Sequence, residues 1–346
     1  MEIPHSRPTI NEEDISCVVS NLKSGKIATG GEVRIFEKEM SGYIGALGGV
    51  AVNSGTNALF LALKALGIKN GDEVVLPSYV CASVMSAVNN TGAKPVLADI
   101  ESQGYNICPK SAAKKITSRA KAIIVPHMFG APANLEELLN IGIPIIEDCA
   151  QSVGGEYKGR KLGNFGVLSI FSFYATKVLT TGHGGMVLTD SKELLEALED
   201  LTRYDCRPEY RESYNYSMSD FQAALGRSQL RRLGQFIEKR RQIAARYGKI
   251  LADCGQNASR CDGEIFFRYI IETDSPDKFI EKMGGFGVAC AKPVFMPLHN
   301  YLGLDEGDFL NTVSAQKKAV SVPIYPSMSE EEIQKVEGSL KIVLGG

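Results

Sequence analysis

The sequence predicts an α/β layered protein: a mainly parallel sheet covered by helices, followed by a smaller α+β domain. Three observations carry this. Short runs that are apolar on both faces recur as far as Thr189, and such runs suit strands buried inside a parallel sheet. Segments with apolar residues at three- and four-residue spacing separate them, which reads as helices covering the sheet through right-handed crossovers. After Tyr216 the alternation stops and a long helical stretch takes over.

Taken in order, Asn11 is placed to cap a helix whose first turn, Glu12-Glu13-Asp14, is acidic. Ile15, Val18, Val19 and Leu22 then share one face, and Gly25 ends the helix. A second helix runs from Glu32 with Val33, Phe36 and Met40 together. Gly49–Asn53 reads as a strand, Thr56–Leu66 as a helix, Glu73–Leu76 as a strand, Val80–Asn89 as a helix and Lys94–Ala98 as a strand. Lys121–Pro126 and Pro144–Asp148 are further strands, with helical Leu135–Leu139 between them. Val167–Phe173 and Gly185–Thr189 complete the sheet. From Ser219-Asp220 a helix bearing Phe221, Leu225, Leu230 and Leu233 reaches about Leu251. Beyond it lie a strand near Ile265–Ile271, a helix from Pro276, a strand near Val288–Pro293, and helices over 311–320 and 329–343.

Composition narrows the function classes. The chain has 346 residues, long enough for about two domains at ~150 residues each, and can bury a large core. Lys+Arg 38 against Asp+Glu 40 leaves a net charge of -2, with no basic footprint for a nucleic acid. No apolar run approaches the ~18 residues of a membrane span, and the start lacks a secretory pattern. Eight cysteines form no C-x-x-C pair, so reduced thiols in a cytoplasmic protein are expected. Residues 154–161 resemble a P-loop but lack Gly-Lys-Ser/Thr, and no G-x-G-x-x-G follows a strand. The four histidines show no metal-ligand spacing, so no metal is expected. No nucleophile elbow is present.

Three features stand at strand ends, where open α/β sheets place ligands. Ser54-Gly55-Thr56-Asn57 opens a helix, whose free N–H groups suit a phosphate; a plain capped turn is the alternative. Asp148 closes an apolar strand, where a carboxylate needs a partner such as a cationic ring nitrogen; a helix cap is the alternative. Lys177 leaves an apolar strand for a glycine-rich turn, where desolvation favours its neutral, nucleophilic form; a surface lysine is the alternative. Together they are the parts that pyridoxal phosphate needs.

The chain resembles the pyridoxal-phosphate-dependent nucleotide-sugar aminotransferases of the DegT–DnrJ–StrS family. Matching pieces run almost end to end: Ile3-Pro4…Arg7-Pro8, Thr29-Gly30-Gly31-Glu32-Val33…Phe36-Glu37, Ser54-Gly55-Thr56, Glu147-Asp148-Cys149-Ala150-Gln151, Ser172-Phe173…Lys177…Thr180-Thr181-Gly182, Tyr214-Asn215-Tyr216-Ser217-Met218 and Val322-Pro323-Ile324-Tyr325-Pro326. The resemblance implies a fold type I PLP-transferase. Its three-layer α/β/α large domain, with the N-terminal helical segment, would span 1–235, and a small C-terminal α+β domain 236–346. It implies that Lys177 carries the internal aldimine and shuttles the proton, and that Asp148 pairs with the pyridine nitrogen. Gln151 would lie beside the ring, and Gly55, Thr56, Asn57 and Ser172 would bind the phosphate. Asn215 would reach the phosphate of the neighbouring subunit in a homodimer with a shared active site. The implied reaction moves an amino group from glutamate to a keto group of a nucleotide-linked deoxysugar. Sugar dehydration and a non-enzymatic regulatory role are the alternatives; relatives that dehydrate replace the lysine with histidine.

The chain departs from the family pattern at several positions. Where an aromatic residue often stacks on the cofactor stands Cys81, with Tyr79 two residues earlier. His183 replaces a common glutamate and Tyr174 a common histidine. Lys292 and His299 are candidates to face a diphosphate, with a solvated lysine and a packed histidine as the alternatives. The chain is short for the family, which predicts a trimmed substrate-facing loop. Of its 35 glycines, eight fall within the 39 residues from Asp148 to Met186, around the proposed acid and lysine.

Overall fold

In the computed structural model, which describes residues 2–256 and 261–345, helix α1 (Glu12–Ser24) starts at a reciprocal cap. The Asn11 side chain accepts the Asp14 N–H and Asp14 accepts the Asn11 N–H, both at 3.1 Å. Gly25 ends the helix at φ 74, a conformation that suits glycine. The apolar stripe of α1 is not covered within the chain: Ile15 is 48% and Leu22 49% exposed. Instead α1 docks through buried Asp14, which accepts from Gln229 and Arg232. Met1, at the head of the opening segment, lies outside the described residues.

The expected alternation then unfolds, with helices at Pro109–Lys114 and Lys192–Thr202 and a hairpin over 156–161 added to it. Helix α2 (Gly31–Ile44) precedes β1 (Gly48–Val52), α3 (Gly55–Ala65), β2 (Glu73–Pro77), α4 (Ala82–Asn90) and β3 (Lys94–Ala98). Next come α5 (Pro109–Lys114), β4 (Ala120–Pro126), α6 (Leu135–Leu139) and β5 (Ile145–Asp148). A short hairpin, β6 (Glu156–Tyr157) and β7 (Arg160–Lys161), leads to β8 (Leu168–Ser172), β9 (Gly185–Thr189) and α7 (Lys192–Thr202). The seven-stranded sheet has the order β1-β9-β8-β5-β4-β2-β3. Neighbours are parallel except at β9, which is antiparallel to both β1 and β8.

The side-chain period of two builds the layers. Ile123, Val125 and Ile145 enter one hydrophobic cluster with Phe36 and Phe171, while Ile124 and Ile146 enter the opposite one with Leu59 and Leu76. Both faces are covered, and the result is a three-layer α/β/α arrangement.

Helix α8 (Asp220–Asp253) changes partners along its length. Leu233, Phe236 and Ile237 pack in the sheet cluster, whereas Ile243, Tyr247 and Leu251 pack in a third cluster. That cluster holds β10 (Tyr269–Glu272), α9 (Pro276–Gly285), β11 (Ala319–Val322) and α12 (Glu330–Gly345). Between them α10 (Leu298–Tyr301) and α11 (Leu310–Lys318) return to the large sheet through Leu298 and Ala315.

Three expectations change here. The strand near 265–271 starts only at Tyr269, because Ile265 and Arg268 donate to the Gly130 and Phe129 carbonyls. Val288–Pro293 forms no strand; it makes single bridges, Ile3 with Val288 and Ala291 with Ser321. The helix over 311–320 stops at Lys318, since Ala319–Val322 pairs antiparallel with β10. Among the described residues no helix is long and apolar enough to cross a membrane.

Candidate active site at the strand ends

Strand β5 ends on two buried carboxylates. Glu147 accepts the N–H groups of Phe165 (2.6 Å), Gly166 (2.8 Å) and Gly163 (2.9 Å), and meets His127 Nε2 at 3.1 Å. His127 Nδ1 accepts the Ala133 N–H at 3.1 Å, which assigns the ring proton to Nε2. Burial pushes the Glu147 carboxyl up, but the His127 hydrogen bond and the backbone donors outweigh it and hold it below the usual range. His127, Glu147 and Cys149 bring ligand-type atoms within 4.8 Å of one another. Those of Glu147 and His127 are already engaged by the protein.

Asp148 differs. One oxygen accepts the Ala150 N–H at 3.0 Å, and the other has no partner among the described residues. Burial raises its pKa, opposed by the Ala150 N–H and the charge of Lys177. Its position is fixed by the main chain, since its carbonyl accepts the His127 N–H at 3.2 Å.

Lys177 sits in the loop leaving β8. Phe173 anchors that loop: its N–H donates to Gly184 (2.8 Å) and its carbonyl accepts from Thr181 N–H (2.9 Å). The Lys177 amine lies 5.1 Å from the centre of the Phe267 ring. Burial lowers its pKa against the opposing pull of Asp148 and Cys81, and Arg268 adds to the lowering. An amine so placed releases its proton more readily than a surface lysine.

The start of α3 closes the third side. Ser54 caps it by accepting the Asn57 N–H at 3.1 Å. The N–H groups of Gly55 and Thr56 have no partner among the described residues, so the helix end is open to an anion. Close approach explains the glycines. A Cβ on Gly55 would lie 2.7 Å from Ser172 Cβ, and one on Gly185 would lie 2.4 Å from the Ser54 carbonyl oxygen. Asn57 is drawn inward: its N–H serves the cap and its amide donates to Asn53 at 2.7 Å. It shapes the turn, and the second hydrogen of its amide remains free among the described residues. Gln151 accepts the Phe129 N–H at 2.9 Å. Asn215 is exposed, on a segment tied to this corner by the Asn53 N–H bond to the Tyr216 carbonyl at 2.7 Å.

Several candidates are resolved by burial. Tyr79 is wholly buried, stacked on Tyr105 at 5.9 Å, and offers no face to a ring in the site. Cys81, at the start of α4, is exposed. His299 is buried against Phe309, with Nδ1 2.7 Å from Ser78 Oγ, and cannot face a diphosphate. Lys292 pairs with Asp277 at 2.9 Å. Tyr174 and His183, the two departures around the lysine, meet edge to face at 5.1 Å. A surface cleft lies elsewhere, between α1, residues 25–35 and α8. Two of its three arginines are already paired, Arg227 with Glu32 and Glu39, and Arg231 with Glu13.

Sequence reasoning passed over Phe129, Phe267, Arg268 and His5. Phe129 and Phe266 adopt positive φ, 60 and 52, a conformation that costs a bulky residue about 1–2 kcal/mol and leaves no compositional trace.

The donor set fits pyridoxal phosphate. Asp148 has one oxygen left for a ring N–H, the α3 start and the Ser172 hydroxyl carry donors for a phosphate, and Lys177 offers an amine for an aldehyde. The chain matches the DegT/DnrJ/EryC1/StrS aminotransferase family over residues 8–341. It is 34% identical to the spore coat polysaccharide biosynthesis protein SpsC of Bacillus subtilis (strain 168) over 387 aligned positions, which cover 99% of this chain and 97% of that one. It is 30% identical to the GDP-perosamine synthase of Caulobacter vibrioides, with 89% of each chain covered. It superposes with a TM-score of 0.93 on Spr1654 of Streptococcus pneumoniae, classed as a sugar aminotransferase and solved in PLP and PMP forms. The PLP form is 25% identical, with 100% of this chain and 99% of that one covered. Because one family accounts for nearly the whole length, and the site fits its cofactor, the chain belongs to the DegT/DnrJ/EryC1/StrS aminotransferase family and is a pyridoxal-phosphate-dependent enzyme of fold type I.

Proposed function

We propose that this enzyme transfers an amino group from glutamate to a keto group of a nucleotide-linked deoxysugar, working as a cytoplasmic homodimer with a shared active site. The observation that carries the reading is the juxtaposition of the desolvated Lys177 amine with Asp148, whose second oxygen is open. Bound pyridoxal phosphate supplies an electron sink for the carbon that loses or gains a proton. Asp148 holds a proton at the ring nitrogen and keeps that sink strong. Lys177 would hold the aldehyde and, once released, takes and returns the proton at the reacting carbon. Gly55, Thr56 and Ser172 orient the phosphate, while Gln151 flanks the ring. The sugar substrate is supported by SpsC and GDP-perosamine synthase, whose names place them in polysaccharide and perosamine synthesis.

The exposed apolar stripe of α1 and the outward-facing Asn215 support the dimer. The change of packing partner along α8 supports a boundary near 235 between a large and a small domain.

Glutamate should bleach the visible absorption of the purified holoenzyme, and one of a panel of nucleotide ketosugars should restore it. Lys177→Ala should fold normally and lose turnover by roughly 10³-fold or more. Full activity in that variant would sink the assignment.

A further inference from the structure

Residues 265–268 cross in front of the sheet before β10 begins. Ile265 N–H donates to the Gly130 carbonyl at 3.1 Å and Arg268 N–H to the Phe129 carbonyl at 3.3 Å. A Cβ on Gly130 would lie 2.9 Å from the Phe267 nitrogen, so the two segments touch. From behind, the buried Arg240 guanidinium donates to the carbonyls of Phe266 (3.1 Å), Phe267 (3.2 Å) and Ile324 (2.8 Å). This turn is therefore held from both sides, and it includes the left-handed Phe266.

What the turn presents is a ring with a cation on it. The Arg268 guanidinium carbon lies 5.0 Å from the Phe267 ring centre, and the Lys177 amine 5.1 Å from the same centre. The two groups are thus at most twice that distance apart.

Arg268 is incompletely satisfied. No carboxylate among the described residues lies within ion-pair distance of it, whereas Arg7, Arg119, Arg227 and Arg246 all have one. Its side-chain partner is His5, with Nδ1 at 2.9 Å. His5 Nε2 lies 2.9 Å from Ser321 Oγ. Burial and the neighbouring Arg268 hold the His5 pKa down to about 3, so its ring accepts from the guanidinium as a neutral group. Burial alone brings Arg268 to about 10. A partly desolvated cation with a neutral partner awaits an anion.

We propose that Arg268 anchors a carboxylate of the amino donor, with His5 as a positioning residue that orients the guanidinium. A planar guanidinium matches a carboxylate through two parallel hydrogen bonds. The cofactor phosphate already has the α3 start and the ring nitrogen has Asp148. In an α-amino acid the carboxylate is bonded directly to the carbon that reacts, whereas a sugar diphosphate is separated from its ketone by the sugar ring. The inference rests on the aminotransferase reading and adds to it the residue that selects an amino acid over a simple amine.

The test uses the holoenzyme and its two half-reactions, each followed by visible absorption in single turnover. Arg268→Gln should slow the glutamate half-reaction at least 100-fold and leave the ketosugar half-reaction within about threefold. Arg268→Lys, which keeps the charge, should recover part of the loss. His5→Ala should raise the glutamate KM about tenfold with kcat within about twofold. Calorimetric binding of glutarate, which has carboxylates and no amine, should weaken at least 30-fold in Arg268→Gln. An unchanged glutamate half-reaction, an equal loss in both halves, a loss confined to the ketosugar half, or unchanged glutarate binding would each overturn the role of Arg268. A wild-type enzyme that no amino acid bleaches would instead overturn the aminotransferase reading, and the glutarate titration would still judge Arg268.

Discussion

Glu147 and Asp148 end the same strand and are both buried, yet their surroundings are opposite. The region around Glu147 meets its carboxylate with three backbone N–H groups and His127. The region around Asp148 supplies one backbone N–H and leaves the other oxygen open. The first is held ionised and the second is pushed toward neutrality. A buried acid whose valences are filled by its own chain fastens the 163–166 loop to β5. A buried acid left incomplete is shaped for something the chain does not contain. Burial alone does not distinguish a functional carboxylate; unmet hydrogen-bonding capacity does.

The contrast can be broken by exchanging the charge at each position. Asp148→Asn removes the proposed partner of the ring nitrogen, and turnover should fall roughly 10³-fold in steady-state assays. Without cofactor the same variant should be no less stable than the parent at neutral pH. The folded-state pKa of Asp148 is raised, so its ionised form costs stability above the unfolded value near 3.9, and that cost is relieved as pH falls. Glu147→Gln should behave in reverse, losing about 3 kcal/mol in denaturant titrations, because a backbone cradle built for a carboxylate is left with a poorer acceptor. The folded-state pKa of Glu147 is lowered, so its contribution is present above the unfolded value near 4.3 and lost as pH falls through the folded value. The variant should therefore show a flatter loss of stability in acid. If Asp148→Asn proves the more destabilising of the two, the distinction fails.

Two smaller effects sharpen the picture on the open side. Gly55→Ala forces a methyl against Ser172, which should cost about 1–3 kcal/mol and weaken pyridoxal phosphate in equilibrium dialysis. Cys81→Tyr places an aromatic face at an exposed position electrostatically coupled to Lys177. Slower cofactor release, worth about 0.5–1.5 kcal/mol, is expected from stopped-flow measurements. Faster release would show that the thiol position does not face the ring.

Strand and helix positions in the sheet domain were legible in the chain because buried parallel strands are apolar throughout and their helices are amphipathic. Lys177, Asp148 and the Gly55–Thr56 turn were legible as candidates because charged or glycine-rich residues at the ends of apolar runs are anomalous. Less was legible beyond residue 253. There the strand pairing of Ala319–Val322 with Tyr269–Glu272 depends on a partner fifty residues away. The fate of His299 was likewise open until Ser78 and Phe309 enclosed it.

By itself the sequence determined the layer architecture and singled out Lys177 as the candidate nucleophile, because both follow from the local order of apolar, charged and glycine residues. Tertiary structure alone decided which of two adjacent acids is open, that Tyr79 is buried while Cys81 is exposed, and that Arg268 stands over the ring that also meets Lys177. Those outcomes turn on which distant groups fill a side chain's hydrogen bonds and remove it from water, and residue order does not encode that locally.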